Sequence, residues 1–299
     1  ERKQALEDSL QIAAERTAEA QAALEELRSL LLATLTVDDR IDWDQLKQNQ
    51  PFSQPPPLAR SYLPLPAEPQ PEEARYQPQL GLIDKFWRAS AAKKEATARA
   101  LFESDYAAWQ QRLALIEQEN QKIYRANLAA HAEWQQRKMA FEEAARKNNE
   151  SVDRRRDDYC ALKTEAILDY CDLVLSQSKY PECCPQNFEL NYWSETKTLV
   201  VEYQLPAPAD LPRLEEVKFV RSKGEFAEVE LNKRQFDLLF GEVACQIAIR
   251  TLHELFEADV VRALDFIVFN GMVCAVNPAN GNPETRCVLS VRAARTLFA

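Results

Sequence analysis

Residues 102–148 read FESDYAAWQ QRLALIEQEN QKIYRANLAA HAEWQQRKMA FEEAARKN, a run that contains neither glycine nor proline. Its apolar and amide side chains recur at alternating spacings of four and three residues, which is the period of a left-handed coiled coil. The intervening residues are mainly Glu, Gln, Lys, Arg and Ala, all good helix formers. The run therefore predicts one long helix with an oligomer seam at Phe102, Tyr106, Trp109, Leu113, Ile116, Asn120, Ile123, Asn127, Trp134 and Phe141.

A helix of this length extends ~70 Å at ~1.5 Å per residue, so its apolar stripe needs a partner along most of it. Asn120 and Asn127 lie at core positions of the heptad, where paired amides favour a parallel dimer. The pattern leaves antiparallel and intramolecular pairing open, and it does not fix the number of chains. After Asn148 the heptads fail.

Two segments precede the long helix. Residues 1–35 carry a second four-and-three pattern, which predicts another coiled-coil helix. Its seam consists of Leu6, Leu10, Ala13, Thr17, Ala20, Leu24, Leu27 and Leu31. Residues 36–80 join an acidic turn, for which we predict a short capped helix, to a stretch with nine of the sixteen prolines. That composition predicts a semi-rigid linker that can reach ~80 Å, and Pro55–Pro57 offer a motif for the aromatic groove of a protein partner.

From residue 157 onward the sequence has the pattern of a globular domain. An amphipathic helix over 157–178 is followed by apolar-polar alternation, which predicts hairpins at 188–205 and 217–231. Asn232 is placed to cap a second helix, and two further strands flank a loop at 277–282. The predicted fold class is α+β, with long coiled-coil helices followed by a compact, mostly antiparallel sheet domain with two packing helices. The predicted domains are 1–35, 36–80, 81–156 and 157–299.

The composition narrows the class of protein. A net charge of -10 argues against a simple polyanion binder. The seven cysteines lack metal-type spacing, and neither a signal peptide nor an 18-residue apolar run is present. We therefore expect a reduced, cytoplasmic protein with no membrane span and no metal site. Because the chain starts at Glu1 and stops in an apolar run, we also expect it to be part of a longer protein.

One pattern in the predicted sheet suggests metal-dependent chemistry. Glu216 and Lys218 form a Glu-x-Lys triplet on the third strand, and Glu202 lies on the second. Two carboxylates of this kind can bind Mg²⁺ while the lysine activates the attacking water of a nuclease. The Pro-Asp pair that leads such a motif is missing, and Glu202 points outward by its alternation. We therefore expect no catalytic residue and no cofactor here, with Mg²⁺ required only if these three residues form a site.

Other polar clusters have simple structural interpretations. Arg154, Arg155 and Arg156 could contact phosphates, but acids on both sides favour a solvated helix face with local ion pairs. His253 is expected on a helix face, and His131 is expected in solvent on the long helix. No motif places a Ser or Cys nucleophile beside either histidine.

Several blocks resemble a known family. The segments 188–206 (FELNYWSETKTLVVEYQLP), 214–221 (LEEVKFVR) and 247–273 (IAIRTLHELFEADVVRALDFIVFNGMV), together with 81–87, are similar to the region before the nuclease domain of bacterial Mrr-type restriction-endonuclease-like proteins. In that family the cutting domain lies C-terminal to such blocks, so the resemblance transfers no catalytic residue.

The resemblance implies a DNA-associated, antiphage protein in which this stretch is non-catalytic. It would assemble subunits and would position or regulate a nuclease domain downstream of residue 299. Two alternatives stay open. One is a metal-dependent nuclease that uses Glu202, Glu216 and Lys218, and the other is a coiled-coil adaptor that recruits a protein partner.

Overall fold

The computed structural model describes residues 2–80, 87–276 and 281–298. The chain forms two compact units, one of residues 1–47 with 149–299 and the other of residues 48–148. The helices are α1 (Arg2–Arg28), α2 (Leu30–Thr34), α3 (Arg88–Cys160), α4 (Thr164–Gln177), α5 (Lys233–Ala258) and α6 (Arg295–Phe298), with a short 3-10 turn at Ala74–Tyr76. The strands are β1 (Phe188–Trp193), β2 (Thr198–Gln204), β3 (Leu214–Val220), β4 (Glu225–Glu230), β5 (Phe266–Val276) and β6 (Pro283–Ala294). The α+β class and the long helix are confirmed.

The first unit is organised on a four-stranded sheet with the order β1-β2-β5-β6. The β1–β2 and β5–β6 pairs are antiparallel, whereas β2 and β5 run parallel. The parallel pair requires a long crossover, which the chain makes through β3, β4 and α5. The inward positions of β2 alternate as predicted, with Leu199 and Val201 fully buried.

Helices α4 and α5 pack on this sheet and complete the core. Helix α5 begins at a capping box in which Asn232 accepts a hydrogen bond from the Gln235 backbone and the Gln235 side chain accepts one in return. The predicted helix over 157–178 is in fact interrupted. Helix α3 continues to Cys160, Leu162 adopts a left-handed conformation with φ of 58°, and α4 then begins at Thr164.

The N-terminal helix has a different partner from the one predicted. Strands β3 and β4 form a separate two-stranded sheet, and α1 packs against β3. The Thr17 hydroxyl accepts a hydrogen bond from the Val217 backbone N–H at 2.9 Å, and its own hydrogen is shared between the carbonyls of Ala13 at 2.8 Å and Val217 at 3.2 Å. Leu24 and Leu27 are 2% and 1% exposed within the common core. The apolar stripe of α1 therefore serves the α+β unit, because a four-and-three spacing fits a sheet face as well as a second helix.

The acidic turn also differs from its prediction. Residues 43–46 form turns and not a helix, because Asp42 accepts a hydrogen bond from the backbone of Asp44 and holds the chain in a local turn. Two predicted features fall outside the described residues: the apolar segment at 81–86, which carries part of the family resemblance, and most of the loop at 277–282.

The second unit consists of residues 88–148 of α3 and the proline-rich segment that precedes them. The predicted seam residues form a continuous half-buried stripe along this part of the helix. The stripe faces the chain's own proline-rich segment, which runs antiparallel to the helix. We refer to residues 52–76 as the strap and to the whole unit as the arm.

Candidate functional site

The predicted nuclease residues are distributed over two sheets. Glu216 and Lys218 lie on β3 and form an ion pair of 2.8 Å between Oε2 and Nζ. Glu202 lies on β2, opposite Glu189 of β1 and Asn270 of β5. Among the described side chains, no hydrogen bond or ion pair connects Glu202 with the other two. The lysine is thus neutralised by its own neighbour on the strand, in an arrangement that does not resemble a shared metal site.

Two of the three consecutive arginines have local partners of the kind that the helix-face interpretation predicts. Arg156 bonds Asp157 at 3.0 Å and lies 3.4 Å from Asp153, and these carboxylates raise its pKa. Arg154 reaches the carbonyl of Glu150 one turn earlier. Arg155 is exposed beside a surface pocket of about 460 Å³ with Trp43 in its wall. Arg154 is exposed as well, and the aspartates paired with Arg156 interrupt what would otherwise be a continuous basic patch.

The cysteines in the loop before β1 do not form a reactive site. Cys184 is buried, Cys183 is half-buried, and neither is in a disulfide. Burial raises the pKa of the Cys184 thiol to about 12. A thiol in this state is a poor nucleophile and a poor metal ligand at neutral pH.

In the arm, two of the predicted seam residues form paired hydrogen bonds with the backbone of the strap. The Asn127 amide accepts from the Arg60 backbone N–H at 2.9 Å and donates to the Arg60 carbonyl at 3.0 Å. Asn120 does the same with Leu63, at 2.7 and 3.0 Å. A side-chain amide that bonds both backbone groups of one residue satisfies an extended chain as a neighbouring strand would. The two amides that were expected to pair across a dimer are thus engaged by the strap.

Aromatic side chains extend these contacts to both ends of the strap. The indole N–H groups of Trp109 and Trp134 donate to the carbonyls of Pro66 and Gln54, both within 3.0 Å. At one end the Phe52 ring packs against Trp134 and Phe141, and at the other the Tyr76 ring packs edge-on against Phe102. The Tyr76 hydroxyl, moreover, bonds the Asp105 carboxylate at 2.9 Å.

The register of the strap follows from the rises of the two backbones. Twelve residues separate Gln54 from Pro66, which is ~37 Å in a polyproline helix at ~3.1 Å per residue. Their partners Trp134 and Trp109 are twenty-five residues apart, which is also ~37 Å in an α-helix at ~1.5 Å per residue. An extended proline-rich chain can therefore follow a heptad stripe over this length without slipping or bending.

The strap leaves apolar surface uncovered. Leu58 is 97% exposed on the strap, where Tyr62 and Leu65 are also more than half exposed. On α3, Tyr124 and Leu128 are exposed to a similar extent. Pro55–Pro57 are exposed as well. The arm thus satisfies its backbone internally and presents leucine and tyrosine side chains outward.

A buried polar network lies in the α+β unit, where α5 meets the end of α2 and the segment that follows α4. Arg250 and Glu254 form an ion pair of 2.7 Å, with side chains only 6% and 1% exposed. Glu254 also accepts from Ser178 at 2.6 Å and from Thr34 at 3.3 Å, while the guanidinium of Arg250 stacks on the Tyr180 ring. A buried ion pair requires such additional partners to offset its desolvation.

Three ligand-type side chains converge beside this network. Nδ1 of His253 lies 3.3 Å from Oε2 of Glu257 and 3.7 Å from Oδ2 of Asp39. Burial, together with the nearby charges of Glu254 and Glu257, raises the pKa of Asp39 to about 6. We refer to Asp39, His253 and Glu257 as the DHE cluster. Among the described residues it is the one group of three His, Cys, Asp or Glu side chains close enough to share a metal ion.

The sequence contained part of this signal. His253 and Glu257 are one helical turn apart within HELFE, a spacing that places both on one face of a helix. Asp39 lies in the acidic turn that follows α2. Because more than 200 residues separate the two halves, only the packing of the turn after α2 against α5 brings them together. Sequence spacing alone could not predict a site of this kind.

Comparison with known proteins adds no assignment, since no family model, curated protein or solved structure matches the chain. Within the described residues, no helix is both long and apolar enough to cross a membrane.

Proposed function

We propose that this chain is a non-catalytic assembly and positioning segment of a restriction-endonuclease-like, DNA-directed defence protein. In this proposal the arm brings chains together, and the α+β unit docks or gates a nuclease domain. The link to a nuclease derives from the resemblance of the blocks at 188–206, 214–221 and 247–273. The observation that carries the assembly role is the strapped helix with its exposed apolar side chains.

The strap supports this role because it stiffens a helix that would otherwise lack a partner. Residues 88–148 span ~90 Å at ~1.5 Å per residue, and helices in proteins owe most of their stability to the packing of their apolar face. The paired amides of Asn120 and Asn127 tie the strap to that helix at positions seven residues apart. A reinforced helix of this kind suits a spacer that sets a distance between domains.

The outward side chains supply the docking surface for assembly. Tyr124 and Leu128 are 56% and 60% exposed and lie one turn apart on α3. Adjacent exposed apolar residues on a helix are typical of helix-helix contact. We take the occupant to be a second copy of the chain, since each copy carries the same surface and a two-fold contact is self-complementary.

Light scattering on the purified chain tests the assembly role. We expect a dimer or larger oligomer at micromolar concentration, and we expect Tyr124→Glu/Leu128→Glu to convert it to a monomer with unchanged helix content. Ala126→Glu, an exposed position on the opposite side of the helix from Tyr124 and Leu128, is the matched control and should leave the mass unchanged. A monomeric wild-type chain would exclude the assembly role.

A second function is favoured by one observation. Pro55–Pro57 and Leu58 are exposed on the strap, so an aromatic groove of another protein could bind them without releasing the strap. In that case the chain is an adaptor and needs no DNA. Salt-dependent binding of duplex DNA by the purified chain, measured by fluorescence anisotropy, would favour the DNA-directed role over the adaptor.

A further inference from the structure

The DHE cluster has the donor set and spacing of a metal site. Imidazole and carboxylate ligands suit divalent transition ions, with metal–ligand distances near 2.0–2.2 Å. Two donors on one tetrahedral ion are then about 3.3 Å apart. The measured separations from Nδ1 of His253 are 3.3 Å to Glu257 and 3.7 Å to Asp39. The third pair of donor atoms lies within 4.8 Å.

The second observation is an unsatisfied nitrogen at the centre of the cluster. Nδ1 of His253 is buried and has no hydrogen-bond partner among the described residues, although a Glu257 oxygen lies 3.3 Å away. Distance alone would allow that bond, so the two atoms are misaligned as donor and acceptor. An ion between them would use the nitrogen lone pair and both carboxylates at once.

The Asp39 carboxylate also has few hydrogen-bond donors around it. Its side chain is only 10% exposed, and its nearest protein donor other than His253 is the Thr34 hydroxyl, at 3.5 Å. That hydroxyl has a single hydrogen and lies closer to Glu254, at 3.3 Å. A buried carboxylate without a strong donor is costly, and a bound cation would offset this cost.

The neighbouring charges belong to other partners. Arg250 is bound to Glu254, and Arg40 is bound to Asp38 at 2.7 Å. Arg295, in the wall of the pocket of about 320 Å³ next to His253 and Glu257, bonds Asp259 and the carbonyls of Phe256 and Leu264. The pocket provides space for water molecules to complete the coordination of an ion.

We propose that Asp39, His253 and Glu257 bind a divalent transition-metal ion such as Zn²⁺, with water in the remaining positions. The ion fastens the turn after α2 to α5, and thereby closes the N-terminal segment onto the α+β unit. This proposal is independent of the nuclease resemblance and of assembly through the arm.

The alternative for the same geometry is a protonated His253 held between two carboxylates. That arrangement needs no metal and would give a partly buried ion pair. The two interpretations differ in one respect that can be measured, namely whether removal of the imidazole changes the affinity for a metal ion.

The test is calorimetric titration of Zn²⁺ into chelator-stripped full-length chain at pH 7.5. We expect one site that is lost, or weakened at least about tenfold, in His253→Asn. The other histidine of the chain provides the matched control, because His131 is exposed on α3 and His131→Asn should titrate as wild type. The seven cysteines are common to all three proteins, so the difference between them isolates the DHE cluster.

A second measurement covers the case in which His253→Asn folds poorly. Glu257→Gln changes a half-exposed side chain and should keep the circular dichroism spectrum while weakening Zn²⁺ binding by a similar factor. Co²⁺ bound to wild type should show visible d–d bands without thiolate charge-transfer bands. Equal Zn²⁺ affinity in wild type, His253→Asn and Glu257→Gln would overturn the proposal, as would thiolate bands in the Co²⁺ spectrum.

Discussion

In the α+β unit, side chains such as Leu199 and Phe269 lose all solvent exposure, whereas among the described residues of 48–148 only Pro69 and Tyr76 are buried. The first unit is stabilised mainly by removal of apolar surface from water. The arm consists of one helix and the extended strap. Side chains of the helix hold the two together by donating hydrogen bonds to the strap backbone and accepting hydrogen bonds from it. The same chain thus contains one unit specified by burial and another specified by the register of its hydrogen bonds.

The largest effect should follow from a substitution in the core of the α+β unit. Phe269 is fully buried and stacks with Tyr203, so Phe269→Ala should cost about 3–5 kcal/mol through lost contacts and a cavity. Chemical denaturation followed by near-ultraviolet circular dichroism measures this loss. The matched control is Phe226→Ala, which alters a partly exposed ring on β4 and should cost much less. Equal losses from both would remove the contrast between buried and exposed positions.

The second effect concerns the arm alone. Asn120→Ala/Asn127→Ala removes four hydrogen bonds to the strap, and each contributes about 0.5–1 kcal/mol, the lower part of the usual range, because all four are solvent-exposed. We expect a loss of about 2–4 kcal/mol in protection of the Arg60 and Leu63 amides, measured by hydrogen exchange, with the core of the α+β unit unaffected.

The control for the strap uses the same substitution on another face of the same helix. Gln121→Ala/Gln135→Ala changes two exposed amides and should leave exchange at Arg60 and Leu63 as in wild type. If both double variants exchange alike, the strap is held by its aromatic contacts and not by the two asparagines.

The third effect concerns the carboxylate of Asp39 in the α+β unit, whose charged form is disfavoured in the folded chain. The pKa of Asp39 in the folded chain is raised from 3.8 to about 6, so the folded state binds the proton more tightly than the unfolded state. The resulting stabilisation is complete below pH 3.8 and is lost as the pH rises through about 6.

Asparagine mimics the protonated carboxyl, so metal-free Asp39→Asn should be more stable than wild type above pH 6, by on the order of 2 kcal/mol. The two stability curves should converge below about pH 4. Thermal denaturation between pH 4 and 8 in the presence of chelator measures the difference. A wild-type chain that gains stability relative to the variant as the pH rises would contradict this sign.

The contrast between the units also explains what the sequence could predict. The period-2 alternation at 188–205 and the Asn232 cap are local signals, and both predictions are confirmed by the structure. The heptad stripe correctly marked the half-buried face of α3, and the arm ends at Asn148, where the heptads fail. The segment that covers that stripe was not predictable from the sequence. Both a polyproline segment and a second helix can extend along the full length of the stripe.

The same limit applies to the N-terminal helix and to the DHE cluster. The spacing of Leu24 and Leu27 shows that one face of α1 is buried, but it does not distinguish a sheet from a helix as the partner. Asp39 and His253 are far apart in sequence, and their proximity depends on long-range packing. Patterns along the chain thus predicted which faces are buried, while the identity of the partner required the structure.

The smallest effect tests how the strap ends. Tyr76 is the one large side chain that is buried among the described residues of the arm, and its hydroxyl bonds Asp105 at 2.9 Å. Tyr76→Phe keeps the edge-on contact with Phe102 and removes only the hydrogen bond, so we expect a loss of about 0.5–1.5 kcal/mol. Limited proteolysis of the strap measures this loss of stability, with Tyr62→Phe, on an exposed ring, as the control.

Burial should dominate at this end of the strap and hydrogen bonds at its middle, so Tyr76→Ala should release the strap end while Tyr76→Phe leaves it attached. If Tyr76→Phe releases the strap as fully as Tyr76→Ala, hydrogen bonds govern its whole length and the arm contains no apolar anchor.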